Sequence, residues 1–126
     1  MSLRSYSFSK EERLKSKKEI SRVFKDGIFL YEKHLSVVYV QSGFENSNTH
    51  KMGVSVPKKF FKRAVDRNLM KRRIRECFRL NKHVLYETDI TLQNMMFVYR
   101  SKDLVEYGVI LVEMQSLLKR MVLRRE

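Results

Sequence analysis

Residues Lys51 to Arg79 read KMGVSVPKKFFKRAVDRNLMKRRIRECFR, and a change of period inside this stretch decides the fold. Its opening, Lys51 to Pro57 (KMGVSVP), reads as a strand. Pro57 has no N–H to give a ladder and marks the strand's end. From Arg63 to Asn81 the pattern turns helical. Met70, Ile74, Cys77 and Phe78 fall within about 100° of one another at about 100° per residue and form an apolar stripe. Asn68, Lys71, Arg72, Arg75, Arg79 and Lys82 fall on a second arc, centred roughly 125° from the first. One helix can therefore dock on a sheet while turning five cations and an amide outward.

The flanking segments supply the rest of that sheet. Upstream, Ile20, Val23 and Phe24 step at i, i+3, i+4 and predict a helix over Lys17 to Asp26. Ser16 can cap it, Glu19 completes a capping box, and Gly27 stops it. Ile28 to Tyr31 and Leu35 to Gln41 are β-branched and aromatic and read as strands. Gly43 to His50 (GFENSNTH) is a polar loop. Downstream, Met95 to Tyr99 (MMFVY) reads as a short buried strand. Ile110, Met114, Leu117, Leu118 and Met121 then predict a last helix, whose start is blurred by the β-branched run Val109 to Val112. The order α-β-β-β-α-β-α gives a two-layer α+β sandwich.

The chain has 126 residues, with 43% apolar residues and 14 aromatics, enough for one core and against global disorder. Residues 1–126 read as a single domain, with 1–12 a candidate flexible N-terminal tail. Lys and Arg number 27 against 14 Asp and Glu, a net +13. Residues 58–82 alone hold 11 basic and 2 acidic side chains, a local +9. Solvated charged faces normally alternate sign. A concentrated block points instead to phosphates, so to RNA or DNA. The single cysteine, Cys77, excludes an internal disulfide and a cysteine-based zinc site. No apolar run reaches the roughly 18 residues of a membrane span, and the N-terminus lacks a signal peptide's apolar core. A soluble, cytoplasmic protein is expected.

Catalytic residues are not expected in this chain, nor a metal site. His34, His50 and His83 are scattered, without metal-ligand spacing, and are read as surface or cap residues. The acids form no carboxylate cluster for a two-metal centre. Cys77 lies in the apolar stripe and reads as core. Phe24 and Leu35 to Val40 offer a surface for unpaired bases, which bind by stacking whatever their sequence; the alternative is that they are core. Three readings of the basic block follow from the residues. A structural RNA-binding protein of the ribosomal type shares the charge and the fold. A DNA regulator would need a helix-turn-helix pair, but strands precede this helix. A self-sufficient nuclease would need the missing carboxylates.

The stretch from Lys51 to Arg79 resembles the signature of the protein subunit of bacterial ribonuclease P. That signature falls on Gly53, Lys58, Lys59, Arg67, Asn68, Lys71, Arg72, Arg75 and Glu76. RLKSKKEISRVFKDG resembles the family's first helix, with Phe24 and Gly27 matching. The likeness runs from about Arg13 to Met121 and is weak after Lys82. It implies a four-stranded sheet packed against helices, with a left-handed β-α-β crossover like that of the second domain of ribosomal protein S5. Such a crossover is an exception to the usual right-handed rule.

The resemblance also implies partners. Family members assemble with a large catalytic RNA, which with Mg²⁺ hydrolyses a phosphodiester and removes the 5′ leader of precursor tRNA. No membrane and no obligate protein partner are implied. The RNA-binding set would be Lys58, Lys59, Arg63, Arg67, Asn68, Lys71, Arg72, Arg75 and Arg79. The leader would lie between the first helix and the sheet, at Ile20, Phe24, Val38 and Tyr39. Ile20 stands where relatives often have an aromatic. Val38 and Tyr39 point to opposite faces of one strand, so only one can face the cleft. Leu69 replaces the last residue of the family's Arg-Asn-Arg triplet. Either that contact is dispensable or a neighbour such as Arg63 or Arg73 replaces it.

Overall fold

The computed structural model describes residues 7–42 and 48–124. Most of the polar loop, 43–47, lies outside them. A 3-10 turn, Lys10–Glu12, leads into α1 (Lys17–Asp26), β1 (Ile28–Tyr31), β2 (Leu35–Gln41) and β3 (Lys51–Ser55). Then follow α2 (Ala64–Asn81), α3 (His83–Tyr86), β4 (Gln93–Tyr99) and α4 (Tyr107–Leu123). The predicted order is present. The short α3 and the 3-10 turn are additions that carry too few residues for a periodic signal.

The sheet order is β1-β2-β4-β3. β2 pairs antiparallel with β1 and with β4, while β3 runs parallel to β4. A parallel neighbour needs a crossover, and α2 lies within it. Alternation along the strands divides the core. Val37, Tyr39, Met95, Phe97 and Tyr99 face α2 and α4, with Phe78 tilted against Phe97 at 5.8 Å between ring centres. Met70, Ile74, Cys77 and Phe78 of α2 are fully buried there, as the apolar arc predicts. Val38 and Met96 face the other way, against Val23 of α1 and Leu14. The sheet with α2 and α4 makes the two-layer core, and α1 adds a helix on the opposite face.

Two local details set that face. Ser16 Oγ accepts from Glu19 N–H at 3.3 Å and starts α1. A Cβ on Gly27 would lie 2.7 Å from Val38 Cγ2 and 2.9 Å from Tyr39 O. Only glycine lets the chain leave α1 so close to β2. Residues 7–12, grouped by sequence with the tail, pack on the fold: Phe8 meets Phe78 edge-on at 6.1 Å and Glu12 is buried. Leu14 N–H then donates to Met52 O at 2.9 Å, laying the segment beside β3.

Candidate RNA interface

The outward arc of α2 forms one surface. Asn68, Arg72 and Arg75 are exposed, and Lys71 and Arg79 are half-buried. Asn68, Arg72, Arg75, Arg79 and Glu76 line a hollow of about 390 Å³ closed on one side by Phe8. Arg79 is ion-paired with Glu76 on the same helix. The hydrogen bond from Arg79 holds the Glu76 carboxyl below its ordinary pKa. Lys58 and Lys59 are exposed on the turn before α2, with the Lys59 ammonium 5.1 Å from the centre of the Phe60 ring. Arg63, also exposed, is the N-cap residue of α2.

A second hollow, of about 380 Å³, lies between α1 and β3. Gly53 and Met96 line it with Leu14 and Ile20, and Arg13 and Lys15 stand at its edge. A Cβ at Gly53 would run into Met96 Sδ, so glycine there makes room for the Met96 side chain across the β3–β4 pair. Phe8 and Arg75 line both hollows. The cationic face of α2 and the apolar groove beside α1 are therefore one trough. Phosphates fit the first part, and unpaired bases fit the second.

Several sequence expectations change. Arg67 turns back rather than outward: its Nη1 donates to Phe61 O and to Lys62 O, both at 2.8 Å. It ties down the loop entering α2. Arg73 does not stand in for the residue lost at Leu69, because its Nη1 donates to Val105 O at 2.6 Å, toward α4. Lys82, on the predicted cationic arc, is buried against Glu12 at 2.6 Å. Val38 lies on the α1 side but is fully covered by that helix, so it forms no open wall. Tyr39 faces the opposite core. Phe24, by contrast, is 40% exposed, which removes the core reading. Ile20 is half-buried in the groove.

The remaining candidates are structural. His34 is buried, not on the surface: its backbone N–H and Nδ1 meet the Glu113 carboxylate at 2.9 and 2.6 Å. His50 is buried too, its Nδ1 accepting from Gln93 N–H at 2.9 Å. Burial pushes the Cys77 thiol up to about 11, which leaves it a neutral core group. The sequence reading missed Phe8, Arg13, Leu14 and Met96. A usable signal was there: Arg13-Leu14-Lys15 alternates like a strand edge ahead of α1.

Comparison with known proteins bears on the family and on the fold. The family model described as ribonuclease P matches residues 8–122. The ribonuclease P protein component of Porphyromonas gingivalis is 37% identical over 118 residues, covering 91% of this chain and 86% of its own length. That of Thermotoga maritima is 31% identical over 115 residues, covering 90% and 95%. The solved RNase P protein of Thermotoga maritima superposes with a TM-score of 0.70 at 28% identity, covering 86% of this chain and 96% of that one. By sequence and by fold, the chain belongs to the ribonuclease P protein component family.

Proposed function

We propose that this chain, as one RNA-binding unit in the cytoplasm, binds a catalytic RNA through α2 and holds the 5′ leader of precursor tRNA in the groove beside α1. The observation that carries this reading is the sharing of Phe8 and Arg75 between the two hollows. A strand leaving a phosphate-rich contact on α2 passes directly into an apolar groove suited to unpaired bases. Endonucleolytic cleavage then belongs to the RNA, with this chain its accessory subunit. Mg²⁺ is likewise assigned to the RNA. Among the described residues no three His, Cys, Asp or Glu side chains come together in a group that could hold a metal ion. No described helix is long and apolar enough to cross a membrane.

The test adds purified protein to the catalytic RNA and precursor tRNA at low Mg²⁺. Cleavage at the mature 5′ end, stimulated by protein and absent without RNA, supports the reading. Binding to RNA with no stimulation would favour a structural, ribosomal-type role. Cutting by protein alone would place the chemistry in this chain.

A further inference from the structure

We propose that the outer edge of the sheet carries a second stacking platform for single-stranded RNA, built from Phe29, Tyr31 and Arg100. It rests on reading the groove beside α1 as a single-strand channel, and adds a further contact beyond α1, on the side of the helix away from that groove. Phe29 lies opposite Val38 in the β1–β2 register. Alternation therefore puts Phe29 and Tyr31 on the same sheet face as Val38, the face that carries α1. The helix covers Val38 and leaves them open, at 41% and 52% exposed.

The platform is ordered before any ligand arrives. The two rings stack on each other, 6.0 Å between centres and 12° from parallel. The Arg100 guanidinium lies 4.7 Å from the centre of the Tyr31 ring. Its Nη1 donates to Glu32 O at 2.9 Å, and Arg120 Nη1 donates to Tyr31 O at 2.9 Å. Arg100, Tyr31 and Phe29 thus form a column running back along β1 toward the C-terminal end of α1.

Chemistry selects the occupant. Aromatic faces beside a guanidinium plane stack unpaired bases, and duplex bases are not available for it. Arg100 caps the patch, and exposed Lys33 and Lys102 stand two residues along the chain from Tyr31 and from Arg100, on a chain of net charge +13. A second copy would bring these like charges together, which disfavours self-association. β1 lies three strand spacings, about 14 Å, from β3. Nucleotides reaching it are further upstream in the leader than those beside Ile20 and Gly53.

The experiment measures holoenzyme affinity for precursor tRNAs whose leaders are lengthened one nucleotide at a time. Two double variants are used, Phe29→Ser with Tyr31→Ser, and Phe29→Leu with Tyr31→Leu. The leucine pair keeps apolar bulk in the strand while removing the planar faces. The wild type should gain affinity with leader length. Both variants should keep the early gains and lose the later ones, by about five- to a hundredfold. If wild-type affinity ignores the leader altogether, the channel reading itself fails. If it grows with length and both variants follow it at every length, the channel stands and the platform is overturned. A wild-type dimer in sedimentation that both variants abolish would assign the patch to self-association and also overturn it.

Discussion

Lys82 Nζ lies 2.6 and 2.8 Å from the two carboxylate oxygens of Glu12, and both side chains are 5% exposed. The pair joins the end of α2 to the segment before α1. Ser9 N–H and Tyr86 O–H also donate to the carboxylate, at 3.1 and 2.9 Å. Burial alone would raise the Glu12 pKa, but Lys82, Ser9 and Tyr86 together hold it below its ordinary value. Lys82 also donates to Ser7 O. These bonds keep Phe8 against Phe78, where it lines both halves of the trough.

Removing one partner of this pair should therefore be costly. Lys82→Met leaves a buried carboxylate without its cation, and a loss of about 3–5 kcal/mol is expected. Lys82→Met combined with Glu12→Gln leaves no buried charge and should recover part of it. Urea unfolding at neutral pH measures both. A single-variant loss under about 0.5 kcal/mol would mean the pair is no anchor.

The basic residues of α2 divide into two kinds with different signatures. Lys71→Ala, Arg72→Ala and Arg75→Ala should each weaken binding of the catalytic RNA and lower the salt slope by about one unit. Their effect on stability should be slight. Arg67→Ala should do the reverse, because its guanidinium serves Phe61 O and Lys62 O. It should cost about 1–3 kcal/mol in unfolding, with a smaller change in slope. Titrations at several salt concentrations beside thermal melts separate the two. An unchanged slope for all of Lys71, Arg72 and Arg75 would remove this face from the RNA interface.

Periodicity made much of this legible. The α2 stripe was readable because four apolar residues, Met70, Ile74, Cys77 and Phe78, repeat over more than two turns. Ser16 and Gly27 marked the ends of α1 because caps and stops have local chemistry. Long-range partners were not readable. Nothing in the angle of Lys82 on α2 distinguishes it from Arg75; only the arrival of Glu12, 70 residues earlier in the chain, buries one and not the other. Arg67 and Arg73 are diverted by carbonyls of loops whose paths no periodic pattern encodes. The faces of Val38 and Tyr39 were known to be opposite, but which one α1 covers depends on the tight turn at Gly27.

Phe24 and Val38 should respond differently, although sequence placed both in the cleft. Phe24 is exposed, so Phe24→Ala should leave the melting temperature nearly unchanged. It should weaken binding of leader-bearing precursor by about 1–3 kcal/mol and leave mature tRNA unaffected. Val38 is fully buried under α1. Val38→Ala should lower stability by about 1–2 kcal/mol through lost burial and cavity formation. Paired measurements of melting and of leader-dependent affinity check both. A Phe24 variant that melts early with unchanged leader discrimination would return that residue to the core.

His50 should give the fold a pH dependence in the mildly acidic range. It is 1% exposed, its ring meets Tyr86 edge-on at 4.7 Å, and its Nδ1 accepts from Gln93 N–H. Burial pushes its pKa down to about 4 from 6.5, against the opposing charge of Glu12. The folded state therefore holds the ring neutral between pH 6.5 and about 4, while the unfolded chain binds a proton there. Stability is full above pH 6.5 and falls as pH drops through that window, at about 1.4 kcal/mol per unit, about 3 kcal/mol in all. Glu12 acts in a lower window. Its depressed pKa stabilises the fold above 4.5, and that contribution is lost only as pH falls further. The two are separable by urea unfolding from pH 7.5 to 3.5 on the wild type and on His50→Gln, whose side-chain oxygen can still accept from Gln93. The variant should be flatter between pH 6.5 and about 4 and should rejoin the wild-type slope below that. Parallel curves across the upper window would show that His50 does not titrate with folding.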